Sequence, residues 1–526
     1  MQKAPYYAAA VLTLMVLLVP ACQHSPSRSQ ENHSDARRTE GERKADEAKM
    51  PVGMVKVQKI LLQAKEAAAA IQRADIKTKV LREIAITQAN GGDQVAARVT
   101  FQEALEAAAG ITDPSWLMHA LMPITEARAK LGDVDGALET ASYIPGEAAR
   151  RDAVSHMVAR QIESGDLQGA LRTTSRINDD ELKIRLMTQI AMGQARAGDR
   201  EGAARSINRG LELTSALRPD TWAIHEALWS LAVAQAKVGD RGGAAATFQR
   251  ALQLAAAIRW DALRADALQG LAVAHAQAGD VPGALQTTRI IQGGPHRADA
   301  LRGIAIAQAN AGDVHGALQT VASIQNDRAE SPALQEIARV QVHAGDLPGA
   351  LKTAGTIKDD FWRAEALRHI AEGQARTGDA SGALQIANRL PADLQRDELL
   401  REIAAAQAKD RDVQQARVTA ATIREEVFRA WALHDIAIAQ AEAGNVAGGL
   451  ESTAMIRDDF VENSISGSAL RGVLAAQVKG SDVERALGMA GSQTLPTLKA
   501  WALLGVAQGM LERVGAETSQ TTTPTP

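Results

Sequence analysis

A Gly-Asp pair, or a close variant of it, recurs twelve times along this chain, and no other feature restricts the fold as much. Its acidic or Asn member stands at Asp93, Asp133, Asp166, Asp199, Asp240, Asp280, Asp313, Asp346, Asp379, Asp412, Asn445 and Asp482. Seven of the eleven separations are 33 residues, and the others run from 37 to 41. Self-similarity at such a period marks a stacked array, in which each copy buries its apolar face against its neighbours alone. With 526 residues the chain is also too long for one compact core.

Each landmark sits in a fixed frame. Four residues after it comes Ala in eleven copies, with Gly449 in the twelfth; twelve residues before it comes Leu in ten, replaced by Val154 and Met187. Nine and eight residues before it the pair is typically Ile-Ala, as in Ile370-Ala371 and Ile403-Ala404. Steps of three and four residues line one face of a helix. One repeat is therefore read as a first helix near Ala364–Thr377, a left-handed Gly378, an Asp379 cap, and a second helix opening on Gly382-Ala383-Leu384. Nine copies carry Gly three residues after the landmark, which predicts that the two backbones nearly touch there. Asp179-Asp180, Asp359-Asp360 and Asp458-Asp459 mark starts of first helices. Composition agrees: Ala dominates, aromatics are 3%, and stretches suited to strands are missing.

This frame resembles the tetratricopeptide repeat, with Leu367, Ile370, Ala371, Gly378, Asp379 and Ala383 on that family's characteristic places. The resemblance spans residues 54 to 514 and implies an all-α, right-handed α-solenoid of about twelve antiparallel helix pairs. Three departures keep a HEAT-type or other α-solenoid open as the alternative. The fourth position is Leu, the period is mostly 33, and the eleventh position is Gln in ten copies, including Gln341, Gln374 and Gln407. A structural role is expected for these glutamines, each amide bonding a neighbouring repeat's backbone or Gln. Copies at Asp93, Asp199 and Asp240 are longer by seven or eight residues, enough for two extra helical turns. The seven tryptophans lie mostly near helix starts, where packing at the seams is expected.

The ends read differently. Ala8–Val19 is an apolar stretch behind Lys3, followed by Leu18-Val19-Pro20-Ala21-Cys22, which holds the only cysteine. This resembles a bacterial lipoprotein signal, which implies lipidation of Cys22; Pro20 departs from the pattern and leaves ordinary signal cleavage open. Gln23, where inner-membrane retention would want Asp, implies the outer membrane, facing the periplasm. Residues 1–21 are thus read as signal peptide, 22–52 as lipidated Cys and flexible polar tether, 53–514 as the array and 515–526 as a disordered tail. Within the array, Met54–Ile71 is expected to cap one end as a lone helix and Thr497–Val514, a first helix without a second, to cap the other.

No catalytic constellation appears: no His-Glu-x-x-His, no phosphate-binding loop, no Gly-x-Ser-x-Gly and no paired cysteines. The expectation is a non-enzyme with no cofactor and no metal. Net charge is −4, from 58 basic and 62 acidic residues, which gives no case for nucleic acid. In tetratricopeptide arrays the partner groove is lined by first-helix positions that fall here eleven and fourteen residues before the landmark. That resemblance points to Arg82, Arg302, Arg368, Arg401 and Arg471, with Asp299, Glu365 and Glu398. Protein or peptide partners, and the membrane through the anchor, are implied. The reading is a cell-envelope scaffold or adaptor; a non-catalytic accessory subunit of an envelope enzyme, or of a secretion or polysaccharide export system, is the alternative.

Overall fold

The computed structural model describes residues 52–521, apart from 219–220, 325–326, 392–393, 458–463 and 481. The expected signal peptide, Cys22, the expected tether up to residue 51 and Asp458-Asp459 lie outside the described residues. Twenty-six α-helices and one short 3-10 turn make up the described secondary structure, with no strand among the described residues. The chain is an all-α solenoid of helix pairs. It divides into two compact bodies. One holds the described residues up to Ile124, with Gly444–Leu450 and those after position 457; the other holds Thr125–Ala443 and Glu451–Arg457.

The Gly-Asp turn works as the sequence implies. Gly345 has φ +81°, and the Asp346 N–H reaches back to the Gln341 carbonyl at 2.8 Å, the closure expected past a left-handed helix end. Asp346 then caps Leu347–Thr356, its Oδ1 accepting from the Gly349 N–H at 2.9 Å. A cap bond of this kind forms at all twelve landmarks, including Asn445 to Gly448 at 3.0 Å and Asp482 to Arg485 at 3.2 Å. Each such cap stabilises by about 1 kcal/mol. At the copy ending on Asp412 no Gly is available, and Arg411 takes φ +67° instead.

Two expectations about this turn need correction. A Cβ on Gly349 would fall 1.9 Å from the Asp346 carboxylate and 2.4 Å from the Gln341 amide. The third residue is Gly to clear the cap's own side chains, not to let two helix backbones touch. The glutamines, for their part, bond within their own repeat. Gln341 Oε1 accepts from the Thr353 hydroxyl at 2.7 Å, and its Nε2 donates to Asp346 at 3.1 Å. The same amide-to-hydroxyl bond recurs at Gln161, Gln194, Gln235, Gln308 and Gln407. Arg128 and His275 take the Gln place elsewhere and still reach Asp133 and Asp280, both at 2.8 Å.

Second helices fall into two lengths. Gln94–Ala108, Arg200–Leu213 and Arg241–Ala256 have 14 to 16 residues, and the rest have 8 to 10. The long ones bury Phe101, Ile207 and Phe248, and the Phe248 ring stacks on His275 with centroids 4.1 Å apart.

The two helices expected as separate caps instead pack on each other, within the first body. Pro496–Thr521 lies between the first helices Ala74–Asn90 and Ser464–Lys479. On one side Trp501 sits against Gly467, and on the other Leu511 lies 3.4 Å from a Cβ built on Gly91. Val52–Ala69 takes the place of the missing second helix. It lies between two other second helices, with Lys56 paired to Glu484 at 2.6 Å and Lys65 to Glu103 at 2.8 Å. Register runs through the joint: Leu61, Ala64, Ala68 and Ile71 occupy the spacing of Phe101, Ala104, Ala108 and Ile111 in a long repeat. All but Ile111 are buried. Where other first helices stop at Gly-Asp, this one has Val514-Gly515 and continues to Thr521, past the expected end of the array.

Candidate interaction face

The predicted groove residues all lie on first helices, but they are not free to meet a partner as single charges. On Asp360–Arg376, Arg368 pairs with Glu365 at 3.0 Å and also with Glu372. Glu372 in turn contacts the His369 ring at 3.1 Å. Burial pushes the Glu372 carboxyl up, but His369 and Arg368 more than offset it and hold it below the usual carboxylate range. On the next first helix, Leu394–Lys409, Arg401 reaches across to Asp435 on Glu426–Glu442 at 3.1 Å. Arg302 and Asp299 form a looser pair at 3.4 Å, both half-exposed. Glu398 stands near Arg368 and raises its affinity for a proton.

In the first body, Arg82 and Arg471 converge on one carboxylate. Glu83 accepts from each at 2.7 Å, and Arg471 also donates to Gln508 at 2.9 Å and lies over the Trp501 ring, 5.7 Å from its centroid. Burial raises the Glu83 carboxyl, yet the two guanidiniums overcome it and hold it low. The structure therefore groups Arg82 with Arg471, and Glu365, Arg368, Glu398 and Arg401 with one another. Asp299 and Arg302 stand apart as a local pair.

Sequence reasoning missed the acidic column ten residues before the landmark, where Glu83, Glu336, Glu402 and Asp435 stand. Its signal was available in the repeat frame, one residue beyond the arginine position. Glu402 is the exception within it. Its nearest cation, Arg401, is 3.9 Å away, and burial together with Glu372 and Glu398 pushes its carboxyl up. Glu372, Arg401, Glu402 and Asp435 rim a groove of about 530 Å³ across three successive first helices, with alanines such as Ala405 and Ala406 in its floor. Small floor residues under a charged rim suit an extended chain whose side chains alternate between apolar and charged. Among the described residues no group of His, Cys, Asp and Glu could hold a metal ion.

The tryptophans divide between the expected seam packing and exposure. Trp501 and Trp229 are buried between first helices, Trp229 so closely that a Cβ on Gly270 would fall 2.3 Å from its ring. Trp116, Trp222 and Trp260 are exposed.

These features define a class by fold, the α-solenoids built of helix-pair repeats. No family model matches the chain, and no curated protein does. Solved structures with a similar helical course include Ton1535 from Thermococcus onnurineus NA1, at 16% identity over 72% of this chain and 97% of that one, with TM-score 0.23. The pentatricopeptide repeat protein PPR10 from maize matches at 13% identity over 81% of this chain and 64% of its own, with TM-score 0.36. A signal-transduction ATPase with a tetratricopeptide repeat sensor, PH0952 from Pyrococcus horikoshii, matches at 11% identity over 91% and 73%, with TM-score 0.23. At these values the likeness carries no argument about activity or partner.

Proposed function

We propose that the chain is a cell-envelope scaffold lipoprotein that holds protein partners on its first-helix face, anchored through Cys22 on the outer membrane and facing the periplasm. The observation that carries the binding half is the groove across Asp360–Arg376, Leu394–Lys409 and Glu426–Glu442. Arg401 on its rim is held by Asp435, so it shapes the face, while Glu402 and Lys409 remain to read a partner's charge. The anchoring half rests on the Leu18–Cys22 signal and the polar segment that follows it.

The test is crosslinked capture in cells, followed by mass spectrometry of what is held, with the wild type beside a Glu402→Lys, Lys409→Glu double variant. Loss of the captured proteins with an unchanged melting profile supports the groove. Undiminished capture by the double variant contradicts it. The anchor is read separately, from the mass of the mature N-terminus: a diacylglyceryl adduct on Cys22 supports it, and an unmodified Cys22 contradicts it.

A further inference from the structure

In an array of antiparallel pairs, one edge holds the Gly-Asp turns and the opposite edge holds the junctions where each second helix runs into the next first helix. The second body is uneven between them. Among its described residues, seven of nine exposed large hydrophobics lie at the junction edge, Trp222, Trp260, Leu263, Ile290 and Phe361 among them. The other two, Leu351 and Val418, lie midway along second helices, and none lies at a turn.

The densest part follows the two long second helices of this body. Trp222 opens the first helix Trp222–Val238 and is 49% exposed; it stands edge-on to the buried Trp229, with ring centroids 5.2 Å apart. Trp260 caps the next first helix, Asp261–Gln277, and is 75% exposed, with Leu263 in the same turn 50% exposed. Trp222 and Leu263 border one shallow depression. Long repeats are thus followed by an indole that faces solvent. The first body repeats the pattern, with the exposed Trp116 after Gln94–Ala108.

Charge at these junctions is also distinctive. Segments 214–223, 257–264 and 289–297 carry five arginines against two aspartates. Arg218, Arg259, Arg289 and Arg297 are exposed. The junction that bears Phe361 is balanced instead, Lys358 and Arg363 standing against Asp359 and Asp360.

We propose that the junction edge of Thr214–Arg297 is a membrane-contact surface that seats its tryptophans and Leu263 at the headgroup level of an anionic lipid bilayer. Exposed anchors within about one turn of successive helix starts share a level, and a plane is the partner that can meet them together. An indole favours that depth because its body is apolar while its N–H needs a polar partner. Arginines beside it gain from anionic headgroups, by an amount that salt reduces. A glycan or a peptide would want side chains converging on a deep cleft, whereas Trp222 and Leu263 border only a shallow depression and Trp260 stands outside it. The contact adds to the anchor proposed above and stands or falls independently of it.

The experiment uses the chain from residue 22 onward with Cys22→Ser, so that neither a lipid nor the apolar leader contributes. It is sedimented with vesicles of equal parts phosphatidylcholine and phosphatidylglycerol, and with phosphatidylcholine vesicles alone. The expected result is salt-sensitive binding to the anionic vesicles, with tryptophan emission quenched by brominated acyl chains. Trp260→Ser with Leu263→Ser should weaken that binding by about tenfold, as loss of two apolar anchors implies. Val418→Ser, equally exposed but away from the edge, should leave it unchanged. No binding to anionic vesicles overturns the proposal, and so does binding that Trp260→Ser with Leu263→Ser leaves intact. Capture of a soluble glycan or peptide by this edge in place of lipid overturns it too.

Discussion

An ordinary repeat and the one formed by the chain's two ends reach the same packing by different routes. In the ordinary repeat, such as the one turning at Gly345-Asp346, three residues of chain join the helices. A cap, a reach-back hydrogen bond and a buried Gln-Thr pair fix the angle between them. In the split repeat, Pro496–Thr521 and Val52–Ala69 come from distant parts of the chain, with no short turn and no Gln-Thr pair between them among the described residues. What they share is the spacing of buried residues, with Ala500, Leu504 and Ala507 on one helix and Val57, Leu61 and Ala64 on the other. The comparison teaches that apolar register is sufficient to form the pair, and that the turn chemistry adds precision and stability to it. The split pair then depends almost wholly on side-chain burial, so its weak points are core residues and not caps.

That difference can be tested most strongly at Trp501. Truncation to Ala removes a side chain 1% exposed and should cost about 3–5 kcal/mol. Hydrogen exchange should then quicken in Val52–Ala69 and Pro496–Thr521 while the second body keeps its protection. Uniform loosening of both bodies would break the comparison.

In ordinary repeats the sensitive group is the Gln. Gln341→Leu strands the buried Thr353 hydroxyl and should destabilise by about 1–3 kcal/mol in a denaturant titration. Gln374→Leu should cost clearly less, because Ile386 stands in the Thr place and Gln374 Oε1 already has no partner.

Acid should separate the regions by sign. Glu83, beside the split repeat, is held below its unfolded-chain value of about 4.3. Its pairing with Arg471 and Arg82 is therefore fully present above that value and is lost as pH falls through the lower folded value. Glu402, in the groove, is pushed up, so it costs stability as pH rises through its folded value. Melting curves should show Glu83→Gln less stable than wild type at neutral pH, with the gap closing in acid. Glu402→Gln should be at least as stable as wild type at neutral pH, its advantage also fading in acid.

The smallest effect concerns Arg411, which holds a left-handed backbone that its repeat-mates assign to Gly. Arg411→Gly should stabilise by about 0.5–1 kcal/mol, as relief of a strained non-Gly residue outweighs the added freedom of the unfolded chain. A loss of stability on that change would contradict the strain.

Much of the array was legible because its rules are local. Asp346 caps, Gly345 turns and Leu367-Ile370-Ala371 pack within a few residues of one another, and period alone places them. The exchange of Arg471 with Glu83 was not legible, since 388 residues separate the pair. Nor was the split repeat read correctly, although the match between Leu61–Ile71 and Phe101–Ile111 is visible once the two are aligned. A helix without its partner in sequence suggests a cap, and only packing shows that the partner comes from the other end of the chain. The candidate groove residues were placed on first helices, but their pairing could not be read from single positions. Arg368 looks available in sequence and is neutralised by Glu365 and Glu372 in space.

The joining of the two ends is the claim on which the description of the first body rests. The measurement that meets it most directly is an engineered disulfide, Gly53→Cys with Val514→Cys in a Cys22→Ala background. A Cβ built on Gly53 lies 3.5 Å from the Val514 side chain, within the reach of a disulfide. Mild oxidation should give a monomer whose only crosslinked peptide joins positions 53 and 514. Free thiols after oxidation, or crosslinks found only between two chains, would contradict the split repeat.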